Sequence, residues 1–303
     1  MIRKFEFNSS LLKNIPQYKN YDLYNTTIYS VSSINNPKDN TLIFVNKLNE
    51  EHQKKLSKVK NCIILLNKFD LSFKLDHNCL LYVDRPRKEY AKILDFIIKG
   101  QSNKIQRYTY MDGYCIGEDV IIGENTIIEP YSFIDHGVTI GSNCIIKSGA
   151  RIRQNVSIGN NCIIKENSVI GTDGFGVERD EDGTTYKIPH LGGVNIGNNV
   201  EVGALTCICQ GTVEPTIIKD YVKIDDNVFI AHNCNIEKGT YIIANSEVSG
   251  SVSIGKNCWI SPNSCIRDGL IIGDNSLIGI GAVVVKDIES NSVVAGNPAI
   301  KLK

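Results

Sequence analysis

A sixfold isoleucine period constrains this chain more than any other feature. From Ile116 every sixth residue through Ile170 is Ile; the period lapses over residues 171–193 and resumes at Ile196, Val202 and Ile208. It then skips four residues and runs, as Ile or Val, from Ile218 to Val284. A period of six is neither the 2.0 of a flat strand nor the 3.6 of an α-helix. It fits a triangular coil whose sides are short strands and whose corners are turns, with three hexapeptides per coil and residues 18 apart stacked at about 4.8 Å. The 25 repeats predict about eight coils of parallel β-helix, on the order of 40 Å long. Corner chemistry agrees: Ile140 and Ile254 are each followed by Gly, a polar residue and Asn, and Gly and Asn tolerate the left-handed backbone of tight turns.

The rest of the composition mostly excludes. The chain of 303 residues carries 33 basic and 33 acidic side chains, so no field draws it to nucleic acid or an anionic membrane. No apolar run approaches the ~18 residues of a membrane span, and the first ten residues lack a signal core, which predicts a cytosolic chain. Of the ten cysteines, Cys144, Cys162, Cys234 and Cys258 each fall four residues after a repeat isoleucine, a slot elsewhere filled by Val120, Thr126, Ala150, Ser168, Val228 or Ser246. That slot wants a compact side chain, which a free thiol supplies. Cys207 and Cys209 form a C-x-C pair with no second pair at zinc spacing, so no metal is expected.

Residues 1–105 lack the period. Short β-rich runs alternate with polar stretches, and a helix is expected from Pro86, with Tyr90, Ile93, Leu94 and Ile97 on one face and Gly100 as a stop. The expected architecture is mainly β: a small N-terminal α/β domain over 1–105, then the β-helix over 106–303 with an inserted loop at 171–193.

Four stretches carry a resemblance: Gly171-Thr-Asp-Gly-Phe-Gly176, Lys187-Ile-Pro-His-Leu-Gly192, Ile196-Gly-Asn-Asn-Val-Glu-Val-Gly-Ala204 and Ile230-Ala-His-Asn233. With them the chain resembles the left-handed β-helix acyltransferases of the hexapeptide family, and among these the N-acyltransferases of lipid A synthesis that act on UDP-3-O-acylglucosamine. The left hand and a homotrimer are what the resemblance implies; periodicity settles neither. It also implies that His232, in the Ile-Ala-His-Asn stretch, is the general base, a role suited to a side chain that titrates near neutrality. Asp225 matches the family's acidic partner of that histidine, with Asp226 the neighbouring alternative. Gly250 lies 18 residues after His232, and related nucleotide-sugar acetyltransferases place there a backbone N–H that receives the oxyanion.

The 171–193 interruption is too long for a corner, and long ordered excursions are commonly functional. By resemblance it reaches over a cleft between subunits, with Asp173, Gly174, Phe175, Gly176, Lys187 and His190 meeting the sugar or nucleotide, beside Asn233 on the β-helix. The second interruption, 211–216, is a small bulge with no chemistry assigned. In the first domain the family's base-binding Phe and Asn match positions 43 and 46; here the aromatic stands one place on, so Phe44 and Asn46 are the candidates.

The C-terminal coils point elsewhere. Residues 279–287 and 293–299 resemble the end of coenzyme A-dependent sugar acetyltransferases, where such backbones line the pantetheine slot and basic residues meet the adenosine. Gly281, Ala282, Lys286, Asn297, Lys301 and Lys303 are the matching or neighbouring candidates. The lipid A enzymes carry a helical extension for acyl carrier protein and a second histidine near the donor channel; here the chain stops at Lys303 and that position is Gly269. The expectation is therefore an acyl-CoA-dependent N-acyltransferase acting on a UDP- or dTDP-linked amino sugar for a surface glycan. The acyl carrier protein-dependent lipid A enzyme is the alternative. A non-catalytic β-helix leaves the N-terminal domain unexplained. A γ-class carbonic anhydrase needs three zinc-binding histidines near one subunit boundary, whereas His136 and His232 are 96 residues apart, which at 18 per coil separates them by five coils.

Overall fold

The structure is a computed structural model describing residues 5–101 and 107–302. Its contacts divide into two compact units: the repeat up to Gly174 and again from Gly192, and the N-terminal segment together with Phe175–Leu191.

The first unit is a parallel β-helix of three sheets with ten, ten and eight strands. Most strands are two residues long, one facing out and the repeat Ile or Val facing in. The inward residues stack in register: Ile134, Ile152, Ile170, Ile208, Ile230, Val248, Ile266 and Val284 pair in succession on one sheet. Each is 0% exposed, so the period of six is the spacing of a single continuous core. Corners take the left-handed backbone at asparagines such as Asn143, Asn161, Asn227 and Asn257. Cys144, Cys162, Cys234 and Cys258 are buried; their thiols donate across the coil to carbonyls, as Cys144 Sγ does to Gly159 O at 3.1 Å. Burial pushes the Cys234 thiol up to about 12, and all ten cysteines are unpaired by disulfides.

A parallel helix leaves an open strand edge at each end, which attracts other chains unless covered. Tyr108–Tyr110 folds antiparallel onto Cys115–Gly117 at one end, and Ile300–Lys301 folds antiparallel onto Val293–Ala295 at the other. The two interruptions of the repeat are stitched together. Gly192 N–H donates to Gly211 O at 2.8 Å, and Gly211 N–H donates to Gly193 O at 3.0 Å.

The second unit holds a four-stranded parallel sheet in the order Ser30–Val31, Thr41–Phe44, Ile63–Asn67, Cys79–Val83. Helix α1 (Glu50–Leu56) starts at Asn49, whose side chain accepts the His52 N–H, an ordinary N-cap. Helix α2 (Pro86–Gln101) buries Tyr90, Ile93, Leu94 and Ile97, the face expected from spacing. Phe175–Leu191 adds a hairpin, Val177–Arg179 with Thr185–Lys187. The start of α2 and the residue before it grip that hairpin: Arg87 and Arg85 reach Glu178 at 2.8 and 3.0 Å, and Lys88 reaches Asp180 at 2.8 Å. Lys92 adds a 3.4 Å contact to Asp180 and lies 4.5 Å over the Tyr186 ring.

The hydrogen bond from Lys88, followed by that from the Glu181 N–H, lowers the Asp180 carboxyl from 3.8 to about 2. A carboxyl depressed in the folded state contributes stability above its unfolded value and loses it as pH falls toward the folded one. Hydrogen exchange in residues 177–187 should therefore accelerate between pH 3.8 and about 2. Asp180→Asn should loosen the hairpin already at neutral pH. Protection unchanged through that window would show that the ion pairs do not hold it.

Candidate active site

His232 stands two residues past the inward Ile230, at the corner that ends strand Phe229–Ile230. Its side chain points outward and is half-buried. The ring lies flat against the next coil: a Cβ added to Gly250 would sit 2.8 Å from His232 Cε1 and 3.0 Å from Nε2. The 18-residue stack is thus a contact, and Gly250 is needed because any side chain there occupies the imidazole's place. Gly250→Ala should push the ring aside and lower kcat about 10²-fold, the usual cost of a ~1 Å misplacement, with little loss of stability. Unchanged turnover would mean that the ring position is not critical.

On the opposite side the neighbour is Gln210, because Cys207 pairs with Phe229 and Ile208 with Ile230. Gln210 Nε2 donates to Asp173 Oδ1 at 2.9 Å. Since the carboxylate can only accept, this orients the amide. Gln210 Oε1 is left as a buried acceptor with no hydrogen-bond partner among the described residues. Asn233, beside the histidine, accepts the Thr212 N–H at Oδ1 (2.7 Å) and donates from Nδ2 to His232 Nδ1 (3.0 Å). Sequence reading missed Gln210 and Thr212. The period places residue 214 opposite 232, and only the bulge at 211–216 brings 210 there.

Asp225 lies at a different corner, after strand Lys223–Ile224. Its Oδ2 accepts the Ala244 N–H at 3.2 Å, while the alternative Asp226 caps the Ala204 N–H at 2.8 Å. Asp225 and His232 therefore flank opposite ends of one strand. His136 shares the corner of His232, and four ladder steps separate them (Phe133, Arg151, Val169, Cys207, Phe229). The expected five is corrected to four because both insertions add residues without adding a rung. Among the described residues no group of three His, Cys, Asp or Glu side chains gathers as a metal site.

The loop candidates divide between the units. Asp173 and Gly174 belong to the β-helix unit; Phe175, Gly176, Lys187 and His190 belong to the other. Phe175 is 91% exposed and Lys187 is exposed, whereas His190 is 3% exposed with its ring against Gly176. In the same unit half-buried Phe44 packs on the Tyr90 ring at 4.8 Å, with exposed Asn46 just beyond it.

At the C-terminal end, Ala282 is 0% exposed and part of the core. Gly281, Lys286 and Asn297 are exposed, and Lys301 pairs with Glu289 at 3.0 Å. Lys303 lies outside the described residues. The backbone here closes the helix: Ala299 N–H donates to Val283 O at 2.8 Å and Leu302 N–H to Val293 O at 2.7 Å.

The repeat matches the family described as bacterial transferase hexapeptide (six repeats) at residues 119–154, 137–172 and 251–286. UDP-3-O-acylglucosamine N-acyltransferase of Campylobacter lari is 39% identical over 284 residues, covering 91% of this chain and 88% of that protein. UDP-3-O-acylglucosamine N-acyltransferase 2 of Legionella pneumophila is 37% identical over 133 residues, covering 44% of this chain and only 38% of that protein. Among solved structures, the UDP-N-acetylglucosamine acyltransferase of Bacteroides fragilis 9343 is 26% identical with a TM-score of 0.57, covering 64% of this chain and 73% of that one. The O-acyltransferase of Moraxella catarrhalis, 24% identical over 63% of this chain and 72% of its own, has a TM-score of 0.58 and shares the fold.

The parallel β-helix and the hexapeptide match put the chain in the class of hexapeptide-repeat transferases. Within that class, the near full-length similarity shows that the chain belongs to the UDP-3-O-acylglucosamine N-acyltransferase family. This overturns the expectation of acyl-CoA as donor, and of a surface-glycan acetyltransferase-like enzyme. The relatives carry the name of the lipid A enzymes, the family paired above with acyl carrier protein. The C-terminal stretch misled because in this chain it closes the end of the helix, a structural task that does not depend on the donor.

Proposed function

We propose that this protein transfers an acyl group from an acyl carrier protein thioester to the amine of UDP-3-O-acylglucosamine, in the lipid A pathway. The observation that carries the reading is the 39% identity sustained over 91% of the chain, with His232 seated on Gly250 at an outward corner. The amine attacks the thioester carbonyl and must lose a proton, which His232 takes. Negative charge gathers on the carbonyl oxygen, where the Gly250 N–H is the donor we assign, a contribution of roughly 3–4 kcal/mol. As the tetrahedral intermediate collapses, the C–S bond breaks and the carrier thiolate leaves, to be protonated.

The nucleotide base is assigned to Phe44 and Asn46, and the sugar to the 171–193 loop and Asn233. The assembly proposed is a homotrimer of left-handed helices. Because Asp225 and His232 occupy successive corners, the pairing expected of them is one a neighbouring copy would complete. Cytoplasmic action is part of the proposal; in the structure itself, no described helix is long and apolar enough to cross a membrane.

The test is a donor and acceptor screen with purified protein. Acyl carrier protein thioesters with UDP-3-O-acylglucosamine should give product, and the corresponding acyl-CoAs should react at least tenfold more slowly. Preference for acyl-CoA, or for another amino sugar, would overturn the reading.

A further inference from the structure

The second interruption of the repeat, residues 211–216, ends against the catalytic corner. Gly211 is fixed by the bridge to Gly193, which aims the next backbone N–H, that of Thr212, at Asn233. At 2.7 Å from a group that can only donate, the Asn233 atom must be its carbonyl Oδ1. The amide is planar, so Nδ2 faces the other way. It lies 3.0 Å from His232 Nδ1 and 3.4 Å from Thr212 Oγ1. An NH₂ group donates and does not accept, so His232 Nδ1 must offer its lone pair. In the neutral ring the proton is then on Nε2.

From this chain of donors we infer that residues 211–216 act as a tautomer lock: Thr212 orients Asn233, and Asn233 holds neutral His232 in its Nε2–H form. The assignment extends the proposed mechanism and partly rests on it. A base working through Nε2 needs that nitrogen's lone pair, hence the proton on Nδ1. The exchange adds a proton at Nδ1 and removes one from Nε2, both through water. It requires the Asn233 amide to turn by about half a rotation, presenting Oδ1 to Nδ1–H and giving up the Thr212 bond. Asn233 is thus a positioning residue, and the free protein rests in the form that cannot accept a proton at Nε2. Occupation of the site must supply the turn.

Nitrogen-15 spectra of the free protein, at a pH where the ring is neutral, read the tautomer directly. The pyrrole-type signal of His232 should come from Nε2. In Asn233→Asp one carboxylate oxygen still accepts from Thr212 N–H and the other faces Nδ1, so the pyrrole-type signal should move to Nδ1. Wild-type protein already protonated on Nδ1, or a variant with the wild-type pattern, would overturn the lock. Because no turnover is needed, failure of this inference is distinct from failure of the proposed reaction, which His232→Asn and the donor screen address.

Discussion

Changing His232 to Asn should lower kcat by about 10²–10⁴, the range ordinarily lost with a general base, while KM moves little. The physical reason is that neither neighbour of His232 in the stack can replace it as a base. Gln210 precedes it and Gly250 follows it, and neither takes a proton in the working range. Asparagine keeps a polar planar group of similar reach over Gly250, and the position is half-buried on a turn. Thermal stability should therefore change by less than about 1 kcal/mol, which separates a chemical effect from an unfolding one. Turnover near that of the parent would remove His232 from the mechanism and, with it, the role given to Gly250.

Gly211→Ala should be the most damaging single substitution of a small residue. Its Cβ would lie 1.7 Å from Glu214 O and 2.9 Å from Glu214 C, backbone atoms that cannot swing away as a side chain does. The bulge must open, and it is bonded to Gly192 and Gly193 at the return of the long excursion. We expect a loss of about 3 kcal/mol, read by denaturant unfolding. We also expect the Thr212–Asn233 hydrogen bond to be lost in the fraction that folds, so that the pyrrole-type nitrogen-15 signal of His232 is no longer confined to Nε2. The comparison is Gly183→Ala at the hairpin turn. There a Cβ meets open space and only the left-handed backbone, with φ of 87°, is strained, so the loss should be about 1 kcal/mol. Equal costs at the two sites would show that the bulge adapts.

The C-terminal stretch shows how a local resemblance can support a wrong functional reading. The chain end closes the helix, as the hydrogen bonds from Ala299 to Val283 and from Leu302 to Val293 show. End closure is required of any open parallel sheet, so a stretch that closes the helix is no evidence of which thioester donor is used. The histidine is a different case. Nothing in a stacked core requires His at an outward corner, and its presence there pointed to chemistry.

What the amino-acid sequence determined by itself was everything that repeats. The period of six specified the inward ladder within each run, Ile134 to Ile170 and Ile230 to Val284, the compact cysteine slot and the asparagine corners. With the period unbroken between them, it also placed Gly250 on His232. These follow from the sequence because each depends only on spacing within one uninterrupted run. What only the tertiary structure decided lies beyond a break in that run. The length of an excursion does not say where the chain re-enters its sheet, so Gln210 rather than residue 214 became the neighbour of His232. Nor does it say where the excursion goes, and Phe175–Leu191 joined the N-terminal unit through Glu178 and Asp180. The orientation of the Asn233 amide was likewise out of reach, because it depends on one backbone N–H delivered from a bulge twenty-one residues earlier.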